Sequence, residues 1–311
     1  MRRWIAAAAC LGVIALAPQI GHLDADTGSF VLWQLRVPRV LLGALVGSTL
    51  SVVGAAYQTL FENPLAEPGT TGTMAGATLG ALAVIILAPT LASMGIAPVA
   101  VAAFLGALAV SLTVSAMASS GRATIHDVLL VGIALTLASG ALTTGLQVQA
   151  DMAATFRAVR WSLGSLSQVG YAGVVGLLPL AALAQGAILS QVRALDALVG
   201  GEDLAHAQGV DVRRVRALVL GAGALGVGGC VAACGPIAFV GLVVPHLVRR
   251  TLGAERRVLL PMSAVVGAAF LVTCDVAARL AWSGREIPVG ALTAAIGAPA
   301  LLALVLRRDS A

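Results

Sequence analysis

The sequence predicts an all-α polytopic membrane protein with about ten transmembrane helices and both termini in the cytoplasm. Three observations support this fold class: strong hydrophobicity, apolar segments of membrane-spanning length, and an uneven distribution of arginine between the loops. Of the 311 residues, 59% are hydrophobic and 11% are charged, whereas a soluble domain has about 25% charged residues. We interpret residues 1–311 as a single transmembrane domain.

The apolar segments set the number of predicted helices. A hydrocarbon core about 30 Å thick requires about 20 apolar residues of helix. The predicted segments are Trp4–Ile20, Val40–Leu60, Thr70–Leu87, Pro98–Met117, Val128–Leu146, Gly173–Gln191, Val215–Ala233, Ile237–Val248, Leu259–Leu280 and Val289–Leu306. The eighth is too short to span alone, so we expect it to begin earlier, near Cys234.

Arginine distribution predicts the orientation of these segments. With the N-terminus inside, 13 arginines lie on the cytoplasmic side and 6 on the outer side, which is the positive-inside bias. The N-terminal run also resembles a signal peptide ending at Ala15–Ala17. Pro18 directly after that site argues against cleavage, so we interpret the run as the first membrane helix.

The basic residues also exclude several functions. All 19 Lys and Arg residues are arginine, so the chain lacks the lysine of a phosphate-binding loop and any Schiff-base chemistry. Any ATP used must therefore be hydrolysed by another polypeptide. The formal charge of +5 is spread over helix ends without a basic stripe and interleaved aromatics, which argues against a nucleic-acid partner.

Small residues recur at helical spacing inside the spans. Glycines such as Gly76 and Gly80 are four apart, which allows close packing of helices in lipid. Cys230 and Cys234 have the same spacing and could bind a soft metal, but we favour helix packing for them. The sequence predicts no metal site and no cofactor in this chain.

A polar stretch on the cytoplasmic side, about residues 193–214, predicts a short helix outside the membrane. Gly200 and Gly201 form a turn, and Glu202 and Asp203 suit the first turn of a helix because of its macrodipole. Gly209 suits the position just after a helix. The alternative is an ordinary solvated loop, but a folded excursion of this length indicates a docking surface.

Two acidic regions leave alternatives open. Asp275 is the one acid well inside a predicted span, and Arg279 lies one helical turn away and can pair with it. In the inner turn 61–69, prolines end the helix, while Glu62 and Glu67 either contact a partner or lie in water. His246 could bind a metal, but it has no second ligand nearby.

Several long motifs in this order resemble the iron-chelate and vitamin B12 permeases (FecCD-like), the membrane subunits of type II ABC importers. They are RVPRVLL at 36–42, FENPLAEPG at 61–69, the 193–214 region, GPIAFVGLVVPH at 235–246, IPVG at 287–290 and GAP at 297–299. This resemblance implies an importer permease and not an enzyme. It implies a homodimer in the bacterial inner membrane, two cytoplasmic ATPase subunits that bind ATP and Mg²⁺, and a periplasmic or lipid-tethered substrate-binding protein.

The resemblance also implies roles for individual residues. It assigns three arginines, Arg36, Arg39 and Arg279, to docking of the binding protein; the alternative for the first two is snorkelling to the membrane interface. It assigns Thr124, Ile125 and His126 to a cytoplasmic gate. The ATPase-coupling residues it implies are Gly200, Gly201, Glu202, Asp203, Leu204, Ala205, Gly209 and Val210.

The function we expect is import of a metal chelate by alternating access. An iron-siderophore or haem is the first expectation for the substrate, and vitamin B12 is the alternative. A proton-coupled secondary transporter would need broken helices and midplane ions. A membrane enzyme would need a polar catalytic cluster within the spans, where Asp275 is the only acid available.

Overall fold

The computed structural model describes residues 2–20, 28–93, 96–119, 125–167, 170–281 and 286–306. Within these ranges the regular elements are all helical. They are α1 (Arg2–Leu16), α2 (Gly28–Phe30), α3 (Val37–Leu60), α4 (Thr73–Leu87), α5 (Pro89–Ser93), α6 (Ile96–Ser119), α7 (Ile125–Val148), α8 (Met152–Ser162), α9 (Ala172–Ser190), α10 (Val192–Leu198), α11 (Glu202–Ala207), α12 (Val212–Cys234), α13 (Val240–Thr251), α14 (Arg256–Leu280) and α15 (Val289–Leu306). A π-helical stretch, Val31–Arg36, joins α2 to α3.

Each of the ten predicted segments coincides with one helix. Six helical stretches in the described part are long and apolar enough to cross a membrane. These are Gly28–Leu60, Ala97–Ala118, Asp127–Val148, Ala172–Ser190, Val212–Cys234 and Arg256–Leu280. The helices α4 and α15 are shorter apolar helices, and α1 and α13 have 15 and 12 residues.

Helix α3 forms the centre of the bundle. It packs against α9, α12, α13 and α14, while α12 also packs against α6, and α4 packs against α6 and α7. The apolar part of α3 is 78% buried, whereas that of α7 is 17% buried. A central helix that is apolar all round is expected to be enclosed by others, and α7 lies at the edge.

Glycine permits two of these close contacts. A Cβ on Gly54 of α3 would lie 2.0 Å from the Gly241 oxygen of α13, and one on Gly80 of α4 would lie 2.2 Å from the Ala102 oxygen of α6. The predicted packing role is therefore confirmed at Gly80, and Gly54 shows the same close approach. An added Cβ on Gly221 of α12 would meet nothing within 4 Å.

The eighth segment is a half-helix, and the prediction that it begins near Cys234 is wrong. Helix α12 continues to Cys234, Gly235 ends it with φ +74°, and residues 235–239 are non-helical before α13 begins at Val240. Gly241 faces Gly54, which lies six residues inside α3, so α13 starts within the bundle. Non-helical backbone at such depth is tolerated where protein encloses it.

The turn between α3 and α4 also enters the bundle. Glu62 is exposed, but Glu67 is 9% exposed and its Oε2 accepts a hydrogen bond from the Phe239 backbone N–H at 3.2 Å. Both alternatives for Glu67, a partner contact and water, are therefore wrong. The carboxylate lies at the N-terminus of α13, where the helix dipole favours negative charge.

Candidate functional site

Charged side chains collect at the two opposite ends of α3, and the first group surrounds Arg39. Its guanidinium donates to both oxygens of Asp275 on α14, with Nε–Oδ distances of 2.9 and 3.0 Å. Its Nη2 lies 2.8 Å from Asp275 Oδ1. Arg39 is 8% exposed and the Asp275 side chain is 2% exposed, so this is a buried bidentate pair, the stronger form of an arginine–carboxylate contact.

The two other arginines predicted for docking belong to the same end. Arg279 Nε lies 3.3 Å from Asp275 Oδ2, which confirms the pairing expected from their four-residue spacing. Arg36 Nη1 donates to the Pro18 carbonyl at 3.3 Å, and Arg279 Nη2 lies 3.5 Å from the Ala17 oxygen. Arg36 and Arg279 therefore hold the segment after α1 against α3 and α14.

Glu286 completes this group and was missed from the sequence. Its Oε2 accepts from Arg39 Nη1 at 2.8 Å and from Ser167 Oγ at 3.1 Å. Partial burial raises the Glu286 pKa, but the hydrogen bond and charge of Arg39, the Ser167 hydrogen bond and the charge of Arg279 together hold that pKa below its ordinary value. The guanidiniums of Arg36, Arg39 and Arg279 and the carboxylates of Asp275 and Glu286 give this group a net charge of +1. The Glu286 side chain is half-exposed.

The second group lies at the other end of α3, beside the two short helices. Its charged side chains are Arg249 of α13 and Arg256 of α14, which lie with Gln58 and Thr59 of α3 around one cavity. In the neighbouring short helix, Gly201 has φ +94° and α11 begins at Glu202, as the sequence predicts. Gly209 has φ +79°, and the next N–H, of Val210, donates to the Ala205 oxygen at 3.0 Å. This 6→1 bond with a left-handed glycine is a Schellman C-terminus.

Helix α11 presents most of its side chains to the outside. Ala205 is its one buried residue, and Leu204 is 49% exposed although it is apolar. Glu202 instead pairs with Arg216 of α12. Helix α11 is thus anchored through Ala205 and Glu202 and leaves Asp203 and Leu204 exposed.

The remaining candidates differ in how far the structure describes them. Thr124 lies outside the described residues, and Ile125 and His126 begin α7. The Cys230 and Cys234 thiols are buried, with Cys234 Sγ 3.0 Å from the Cys230 carbonyl oxygen. Among the described residues, no group of three His, Cys, Asp or Glu side chains could hold a metal ion, and this includes His246.

Comparisons with known proteins extend over nearly the whole chain. A model of the FecCD transport family matches residues 5–307. The chain is 41% identical to the vitamin B12 import system permease protein BtuC of Vibrio cholerae serotype O1 (89% of this chain, 83% of that protein). It is 38% identical to the hemin transport system permease protein HmuU of Yersinia pestis (89% and 84%).

A solved structure has the same fold. It is described as an inward-facing conformation of a metal-chelate type ABC transporter, and it superposes with a TM-score of 0.88 at 28% identity. The match covers 98% of each chain. The likeness in fold therefore extends over nearly the whole chain.

Proposed function

The chain belongs to the FecCD transport family, and on that premise we propose that it is the permease subunit of an ATP-driven importer for a bulky metal chelate. The observation that carries this proposal is the family match over residues 5–307. Relatives of similar length are themselves permeases of import systems. The chain is a transport subunit, so its side chains would position helices and partners and perform no covalent step.

We propose that all ten predicted segments cross or enter the bacterial inner membrane, with both termini in the cytoplasm. The two charged groups support this orientation. Arg39 and Arg279, predicted on the outer side, lie together at one end of α3. Arg249 and Arg256, predicted on the inner side, lie together at the other end.

The assembly we propose contains two copies of this chain, two cytoplasmic ATPase subunits and a periplasmic or lipid-tethered binding protein. The absence of lysine supports separate ATPase subunits, because a phosphate-binding loop needs that ammonium. ATP and Mg²⁺ would bind there. The sparsely buried helix α7 provides a surface for the second copy, and Thr124, Ile125 and His126 would form the cytoplasmic gate.

Transport would proceed by alternating access, driven through residues 200–210. ATPase subunits that close on ATP would move α11, and α10 would transmit this motion because it packs against both α3 and α14. Asp203 and Leu204 would contact the ATPase, and Glu202 would hold α11 to α12 through Arg216. Two discrete arrangements of packed helices are the usual basis of such transitions.

At the outer end, we propose that the binding protein docks through the charge of Arg36, Arg39 and Arg279. Glu286 is the exposed acid of this group and is already bound to Arg39. A carboxylate of the binding protein would therefore compete with Glu286 for the guanidinium. Exposed ion pairs contribute about 0–1 kcal/mol each, so several such contacts would be needed.

The substrate classes we propose are iron-siderophore or haem, with vitamin B12 as the second candidate. The identities to the vitamin B12 and hemin permeases, 41% and 38%, are too close to decide between them. We expect uptake assays in proteoliposomes, with the partner ATPase and binding protein, to show ATP-dependent accumulation of one member of a chelate panel. Accumulation of none of these chelates would contradict the proposal.

A further inference from the structure

A cavity of about 330 Å³ lies at the inner end of α3, next to the proposed coupling region. The ends of α3, α10, α13 and α14 and the turn after α3 line it. The lining residues are Gln58, Thr59, Glu62, Pro64, Leu198, Val199, Arg249 and Arg256. None of the coupling residues proposed within 200–210 is among them.

Two arginines dominate its chemistry. Arg256 is 9% exposed, and its Nε is buried with no hydrogen-bond partner, although its Nη1 donates to the Ala254 carbonyl at 2.7 Å. Arg249 is partly buried and donates from Nη2 to Gln58 Oε1 at 3.0 Å. The two guanidiniums lie close enough for their charges to repel. A guanidinium has five N–H donors, so this pair retains donors for an acceptor.

The nearby acids do not neutralise both arginines. Asp196 accepts a hydrogen bond from the Arg256 backbone N–H at 2.9 Å and lies 3.9 Å from Arg257 Nε. Its carboxylate is therefore already bound at the start of α14. Glu62 lines the cavity but lies outside ion-pair distance of Arg249 and Arg256 in the described structure. Partly desolvated like charges are costly unless a counterion pairs with them.

The position of the cavity indicates where the counterion comes from. It lies at the end of α3, the most buried of the membrane-length apolar helices that the structure describes. Leu198 and Val199 at its mouth lead directly into α11, and Val199 is 60% exposed. A protein that docks on α11 would therefore cover this mouth.

We propose that the cavity is a receptor for an acidic side chain of the ATPase subunit, whose carboxylate binds between Arg249 and Arg256. This inference rests on the proposed function, since it assumes that an ATPase docks on α11. Carboxylate is the acceptor whose two oxygens match the guanidinium fork. The contact would anchor the ATPase to α13 and α14 in addition to the coupling helix.

The test compares an arginine pair with its exposed neighbours. Wild-type permease in nanodiscs is titrated with the ATPase subunit that co-purifies with it, at low and high salt. We expect the Arg249→Gln/Arg256→Gln variant to bind at least tenfold more weakly, with a shallower salt dependence. The control, Arg250→Gln/Arg257→Gln, removes the same charge from two exposed side chains and should bind within about twofold of wild type.

Two further measurements separate the outcomes. Thermal unfolding checks that the double variant is folded, and an Arg249→Lys/Arg256→Lys variant, which keeps the charge but not the fork, should bind with intermediate affinity. The inference would be overturned if the Gln pair and its control bound the ATPase equally well. It would also be overturned if the Gln pair lost bound phosphatidylglycerol while its ATPase affinity stayed unchanged. Both outcomes would leave the proposed function intact. If no ATPase co-purifies with wild type, the proposed function itself fails.

Discussion

Arg39 and Asp275 form the most deeply buried ion pair among the described residues, and they join α3 to α14 near the start of α3. Both side chains are at most 10% exposed. Removing one partner of such a pair leaves an uncompensated charge and costs about 3–5 kcal/mol. The side chain of Asp275 thus has a structural role, whatever energy source drives transport.

We therefore expect Asp275→Asn to destabilise the protein. Arg39 would keep only Glu286 as a charged partner, and Arg279 would lose its ion pair. The double variant Arg39→Gln/Asp275→Asn should recover part of the stability, because the more deeply buried guanidinium is removed, while Arg279 still lacks its partner. Thermal or denaturant unfolding in detergent measures both variants.

Arg214→Gln provides the matched control for this prediction. Arg214 forms an ion pair with Asp211 at 2.9 Å, but its side chain is 88% exposed. Exposed pairs contribute about 0–1 kcal/mol, so this variant should unfold close to wild type. If Asp275→Asn lost as little stability as Arg214→Gln, the buried pair would not stabilise the fold.

The sequence predicts the local half of this cluster and not the rest. The four-residue spacing of Asp275 and Arg279 is visible in one helix, and the structure confirms their pair. Arg39 and Asp275 are 236 residues apart, and only the packing of α3 against α14 brings them together. Arg39, expected at a snorkelling or docking position, is instead buried against two carboxylates.

At the scale of elements, α11 was predicted closely because its signals are local. Glycines bound it on both sides, and acids occupy its first turn. The half-helix α13 was not predicted, because a count of apolar residues assumes that every segment crosses the membrane. The five-residue break after Cys234 and the contact between Glu67 and Phe239 depend on neighbouring helices that the sequence does not identify.

We expect Asp203→Gly/Leu204→Gly to abolish ATP-dependent uptake while the protein still inserts into the membrane. Both residues are exposed on α11, whereas Glu202 is left in place because its pair with Arg216 holds the helix. Leu204→Met, which keeps an apolar side chain, is the control and should transport normally. Uptake and ATPase association that survive the glycine variant would contradict the coupling role.

The approach of α13 to α3 leads to a prediction about stability. In Gly54→Ala the added methyl would meet the Gly241 carbonyl oxygen at 2.0 Å, and overpacking of this kind costs about 1–3 kcal/mol. Gly186→Ala in α9 is the control, because nothing lies within 4 Å of its added Cβ. It should be neutral or stabilising, since alanine is the better helix former.

Unfolding midpoints of the two variants in the same detergent test this packing. The expected order is Gly54→Ala below wild type and Gly186→Ala at or above it. If the unfolding midpoint of Gly54→Ala equals that of wild type, α13 does not approach α3 as closely as the structure has it. The half-helix would then be free to move relative to α3.

At the scale of the whole molecule, α3 separates two charged ends. The end at Arg39 is internally paired, with Glu286 as its exposed acid. The opposite end carries an exposed helix, α11, and Arg256, whose buried Nε has no hydrogen-bond partner. In the orientation we propose, this second end faces the ATPase subunits.

The energy source separates an ATP-driven importer from a proton-coupled carrier. A carrier would require an acid that gains and loses a proton in each cycle, and Asp275 is the acid buried within a long helix. Its bidentate pair with Arg39 and its contact with Arg279 join α3 to α14, which gives this carboxylate a role in helix packing. The chain also lacks the lysine of an ATP-binding loop.

We therefore expect the purified chain to hydrolyse no ATP and to catalyse no accumulation in vesicles with a clamped pH gradient. Addition of the partner ATPase should produce vanadate-sensitive uptake that is independent of the gradient. Asp275→Asn should lower the yield of folded protein, yet uptake per folded molecule should fall only modestly, because asparagine keeps the size of the side chain. Uptake that follows the gradient without ATP, and that ceases in folded Asp275→Asn, would instead identify a secondary transporter.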